Sequence, residues 1–202
     1  MLIEHKHRFA EHEQEDIHSA ETEHLAVPII KGVVNSMKTT MDNLKDAFAG
    51  ESQANRKYTA YAKKAQAEGF PQVARLFRAA AEAETIHALG HFASMGGVKS
   101  TLENLKDAVA GETYEYKEMY PPMLEQATKD NHRARIMFGF ALKAEEVHAK
   151  LYQKALEALQ SSTDMAASEL YLCTVCGNIE FGKPTDKCSI CGAAADKFTK
   201  ID

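Results

Sequence analysis

LKDAFAGE, residues 44–51, and LKDAVAGE, residues 105–112, are the same octapeptide except at one position, and they lie 61 residues apart. The same offset carries AEAETIHA (81–88) onto LKAEEVHA (142–149). Identity in register at Gly, Glu and His marks a duplicated unit, which chance likeness between Ala-rich helices would not produce. Apolar residues around both copies recur at steps of three and four, the period of amphipathic helices. Four helical segments follow, running roughly over 38–67, 72–95, 102–129 and 132–160. Gly69-Phe70-Pro71 and Gly96-Gly97 break the first two, and Pro121-Pro122 is expected to kink or interrupt the third. Asp130-Asn131 reads as a cap before the fourth. Each half is therefore a helix pair whose first helix carries a Glu and whose second carries Glu-x-x-His.

Helical steps place these groups on apolar seams. The first seam runs Leu44, Phe48, Glu51, Tyr58, Ala62, and the second Val73, Leu76, Ala80, Glu84, His87. The third runs Leu105, Ala108, Glu112, Glu115, Met119, and the fourth Phe138, Ala141, Glu145, His148, Tyr152. Seven ionisable groups thus face a common core. An unpaired buried charge costs several kcal/mol, and five carboxylates would together exceed the ~5–15 kcal/mol by which a domain is stable. Two divalent cations would nearly neutralise them. Mixed carboxylate and imidazole ligands suit redox iron or manganese better than structural zinc. A single such Glu would read as a surface residue paired with Lys or Arg, but the repeat of Glu and Glu-x-x-His argues against that for the set. Glu115 has Ala54 as its repeat counterpart, so the two metal positions are unequal. His91 reads as a packing or supporting residue, and Tyr58, seven residues after Glu51, as either a hydrogen-bond partner of a ligand or a core residue.

Residues 161–169 read as a polar linker, and from 170 to 202 Cys, Gly and short β-type runs replace the helices. Cys173-Thr-Val-Cys176-Gly and Cys188-Ser-Ile-Cys191-Gly are two knuckles separated by 11 residues. Four thiolates so spaced form a tetrahedral metal site. Spacing alone leaves iron and zinc open; a one-electron iron makes sense beside a redox partner in the same chain.

The net charge of -5 without a basic stripe argues against nucleic acid and anionic membranes. No apolar run approaches the ~20 residues of a membrane span, and the charged N-terminus lacks the apolar core of a signal peptide. The expected location is the cytoplasm. Residues 1–37, with five of the nine histidines, read as an N-terminal extension outside the repeat.

From residue 38 onward the chain resembles the rubrerythrins: AGESQA (49–54), AETIH (83–87), AGETYEY (110–116), AEEVH (144–148) and the two knuckles carry the likeness. The resemblance implies an all-α, ferritin-like four-helix bundle (38–160) followed by a rubredoxin-like four-cysteine domain (170–202). It implies a di-iron peroxidase that reduces hydrogen peroxide to water and is NADH-linked through a reductase or rubredoxin partner. Electrons would enter at one iron (or zinc) held by Cys173, Cys176, Cys188 and Cys191. The two irons would be held by Glu51, Glu84, Glu112, Glu115, Glu145 and His148, with His87 exchanging for Glu115 as oxidation state changes. The alternatives are a ferritin-like iron oxidation and storage protein, or a non-redox module with a structural zinc knuckle.

The last expectation is one of assembly. Parallel second and third helices need a connection the length of the bundle, ~36 Å for 24 residues. Gly96 to Thr101 reaches roughly 20–25 Å. Exchange of hairpins between two chains removes the conflict, so the expected state is a domain-swapped homodimer.

Overall fold

The structure is a computed structural model and describes residues 38–202; the expected N-terminal extension lies outside the described residues. Helix α1 spans Thr40–Ala67, α2 Pro71–Ser94, α3 Thr101–Tyr114, α4 Tyr120–Lys129 and α5 Ala134–Gln160. The repeat extends into the caps. Thr39 closes a capping box with Asp42 ahead of α1, and Ser100, 61 residues on, closes one with Glu103 ahead of α3.

Between α3 and α4 the chain does not break at the prolines. It widens into a π-helical turn, Glu115–Met119, ahead of them. Pro121 and Pro122 bring no N–H to the preceding carbonyls, and the ladder shifts so that Tyr120 N–H reaches the carbonyl of Glu115. The run from Thr101 to Lys129 is thereby one residue longer than α1. The entry to α5 also differs from the expected cap. Asn131 takes a left-handed conformation (φ 47°), and it is the His132 ring that accepts from Ala134 N–H, at 3.1 Å.

The helices of a ferritin-like bundle are all present, yet they pair in two sets: α1 packs on α2, while α3, the π turn and α4 pack on α5. Neither set packs substantially on the other. What the described helices bury is small: eight alanines, Leu156 and Asn55. Large apolar side chains on the seams stay open, with Leu76 69% and Val73 45% exposed.

The C-terminal part is a three-stranded antiparallel sheet of order β2-β1-β3, formed by β1 (Leu170–Cys173), β2 (Ile179–Phe181) and β3 (Phe198–Ile201). Its core is the cysteine cluster with Phe198, and Phe140 of α5 packs against it. This contact sets the sheet on the second helix set.

Candidate metal centres

The two halves of the repeat build two matching triads. Glu51, Glu84 and His87 converge on one set, Glu112, Glu145 and His148 on the other. His87 Nδ1 lies 3.0 Å from Glu84 and 3.9 Å from Glu51; His148 Nδ1 lies 2.7 Å from Glu145 and 3.9 Å from Glu112. Local helix geometry explains the shorter distance, since i and i+3 share a face. Helix pairing supplies the longer one.

Within each triad acceptors face one another. His148 Nε2 lies 2.9 Å from the carbonyl oxygen of Gly177. A carbonyl can only accept, so Nε2 is the donor there, which leaves Nδ1 facing the carboxylates, where the neutral ring offers its lone pair. Such an arrangement needs a cation between its members, which is the donor set of a metal site with a hydrogen-bonded histidine behind it. Without metal, protons take that role. Burial, then the neighbouring Glu145, pushes Glu112 up to about 7. Burial and Glu145 raise Glu115 as well. In the more open triad, the hydrogen bond to Glu84 raises Glu51, and the same bond together with His87 lowers Glu84.

The four cysteines are free thiols with sulfurs converging on one point. Cys173 and Cys191 sulfurs are 3.7 Å apart, and those of Cys176 and Cys188 are 3.6 Å apart. A disulfide would be near 2 Å, whereas a tetrahedron with metal–sulfur bonds of about 2.3 Å has edges of roughly 3.8 Å. Backbone N–H groups turn inward: that of Asn178 donates to Cys176, those of Cys191 and Ile190 to Cys188, and that of Ala193 to Cys191. Burial pushes the Cys176 thiol up. Burial opposes ionisation of Cys188 too, but the N–H donors and neighbouring thiols bring it down to about 7.

The expected residues are therefore brought together in three clusters rather than two. Glu115 stands outside the tight triad, on the π turn and half-buried, within the influence of Glu145. Tyr58 sits in an aromatic group with Tyr61 and Phe77, ring centroids 6.2 and 6.1 Å away. Among the described residues its hydroxyl meets no carboxylate of this chain. Two participants escaped the sequence reading. Tyr120 is close enough to Glu115, Glu145 and Glu112 that burial and then these charges raise its phenol. The Gly177 carbonyl anchors His148, and a backbone group leaves no signature in a sequence.

The sequence model described as Rubrerythrin matches residues 42–156, and that described as Rubrerythrin, rubredoxin-like domain matches 171–199. Rubrerythrin-2 of Clostridium acetobutylicum is 35% identical over 181 residues, covering 82% of this chain and 97% of the relative. Nigerythrin of Nitratidesulfovibrio vulgaris is 35% identical over 197 residues, covering 86% and 96%. A solved structure of nigerythrin in its fully reduced, all-ferrous state is 34% identical, with a TM-score of 0.48, covering 85% of this chain and 91% of that one.

Proposed function

The chain belongs to the rubrerythrin family, and we propose that it is a peroxidase that reduces hydrogen peroxide to water, with electrons entering through its four-cysteine iron site. The balance is one peroxide, two electrons and two protons to two waters. The family's di-iron centre, when bound, supplies both electrons to the oxygen–oxygen bond. Glu51, Glu84 and His87 would hold it from one side, and Glu112, Glu115, Glu145 and His148 from the other, with His87 and Glu115 alternating.

The observation that carries the reading is the contact between His148 and Gly177. Gly177 follows Cys176 directly, and its carbonyl accepts the His148 Nε2–H at 2.9 Å. Peptide bond, hydrogen bond and imidazole thus form one bonded path from a cysteine ligand to a carboxylate triad. A storage protein would have no use for such a path.

Assembly completes the site. Each triad holds three groups, and in one chain the two helix sets do not pack substantially together. The exposed Leu76 and Val73 lie on a seam that a bundle would cover. The six residues between Ser94 and Thr101 are too few to lead the chain back along α2. We therefore read the active form as a hairpin-swapped homodimer acting in the cytoplasm, with its reducing power drawn from NADH through a reductase or rubredoxin.

The test is a pair of measurements on anaerobically reduced, iron-loaded protein. With Cys173→Ser plus Cys176→Ser, one addition of peroxide should still oxidise the di-iron centre, while steady turnover with a reductase should stop. Undiminished steady turnover would overturn the electron route. Failure of the wild-type centre to react with peroxide would overturn the peroxidase reading.

A further inference from the structure

Asn178 is 2% exposed, as deeply buried as the cysteines beside it, and its side chain belongs to no fold-forming ladder. Burying an amide without partners costs several kcal/mol. Its Nδ2 instead has two partners: Glu180 Oε1 at 2.8 Å and the sulfur of Cys188 at 3.8 Å. Both are acceptors. An amide oxygen in that place would face a carboxylate and a thiolate at once, so the nitrogen must point there. Glu180 holds one N–H, and the other is left aimed at sulfur.

The same residue serves the opposite knuckle, because its backbone N–H donates to Cys176. Asn178 thus brings a donor to one sulfur of each pair. Cys188 already receives the backbone N–H groups of Cys191 and Ile190, so the side chain adds a third. We propose that the Asn178 amide sets the reduction potential of the four-thiolate iron, raising it through an N–H···S bond to Cys188.

The sign follows from charge. Accepting one electron from the donor takes Fe(III) to Fe(II) and makes the iron–thiolate unit one charge more negative, with the added density spread onto sulfur. An N–H donor stabilises the more negative form more strongly, so it favours reduction. Glu180 acts through Asn178: its carboxylate fixes the amide rotamer and so keeps the donor in place. The inference rests on iron occupying the cysteine site, but not on the route that electrons take afterwards.

The experiment is a potentiometric titration of the full iron-loaded chain, followed by the visible iron–thiolate absorption. Asn178→Leu keeps the branching and the number of heavy atoms of the side chain and removes the donor. It should retain the absorption and shift the one-electron equilibrium toward the oxidised form by about tenfold, about 59 mV. Asn178→Asp, which puts a carboxylate there, should shift it further in the same direction. Potentials equal to wild type in both variants would overturn the proposal, since a merely structural role would alter iron retention and leave the potential alone. Should either variant fail to hold iron, the wild-type chain loaded with an NMR-active cadmium isotope decides. A scalar coupling between cadmium and the Asn178 side-chain amide protons supports the bond to sulfur, and its absence refutes it. A lowered potential with unchanged turnover would leave this inference standing and count against the electron-inlet reading instead.

Discussion

Leu76→Asp tests the assembly directly. Leu76 lies on α2 between Val73 and Ala80, on the seam that carries Glu84 and His87, and it is 69% exposed in the single chain. Its own hairpin loses almost nothing when it is replaced, so far-UV circular dichroism should be unchanged. In a swapped dimer the same side chain is covered by the partner's helices. Full burial of a Leu stabilises by about 1.5–3 kcal/mol, so the exposed fraction is worth about 1–2 kcal/mol per copy. Two copies per dimer give about 2–4 kcal/mol, a weakening of about two orders of magnitude in dissociation constant from lost apolar burial alone. The desolvated carboxylate adds to that. Sedimentation across a dilution series should show the variant dissociating where wild type does not, with di-iron content and peroxide turnover falling together. Leu76→Met, which conserves volume, should behave as wild type. A Leu76→Asp chain that remained dimeric with full iron and full turnover would refute the reasoning.

Two further outcomes are expected. In metal-free protein Glu112 sits at about 7, against an ordinary value of 4.5, so the folded state binds its proton more tightly than the unfolded state. That contribution is fully present below the ordinary value and is lost as pH rises through about 7. Denaturant titrations of the apo chain should therefore show stability falling across this window, with Glu112→Gln flattening the slope; an unaltered slope would show that another group titrates. Gly97→Ala would drive a Cβ into the Phe92 ring, which stacks on Phe48 with centroids 5.1 Å apart. Displacing that ring should cost about 1–3 kcal/mol in a thermal melt, and the cost should vanish in a Phe92→Ala background.

What was legible in the sequence was whatever depends on local helix geometry. Glu84 and His87, or Glu145 and His148, are three residues apart, and three residues on a helix are neighbours whatever surrounds them. The 61-residue repeat then told which helices pair. The cysteine cluster was equally legible, because a C-x-x-C knuckle carries its own turn. The π turn was not. The prolines announced a break, and helical periodicity has no way to say that the ladder widens one turn earlier instead. That single extra residue moves Tyr120 next to Glu115, Glu145 and Glu112, although a spacing of five would place it away from Glu115 in an α-helix. The bond from His148 to Gly177 spans 29 residues and ends on a backbone oxygen, so no side-chain pattern marks it.

These late-found features bear on the one asymmetry that the repeat did announce. His148 is held on both nitrogens, its ring 16% exposed, with Gly177 behind it. His87, its counterpart, is 55% exposed, and among the described residues its Nε2 meets no partner. A histidine pinned by a backbone carbonyl resists displacement, because leaving would strand that acceptor. A histidine without such an anchor would give up only its bond to the proposed metal. The spare carboxylate, Glu115, comes from the half that holds the pinned histidine, on a π turn whose backbone ladder is already shifted. On the proposed ligand set, exchange of His87 for Glu115 would thus be the cheaper of the two conceivable exchanges. The swapped dimer is what would bring these two residues, drawn from opposite halves of the repeat, to a common iron.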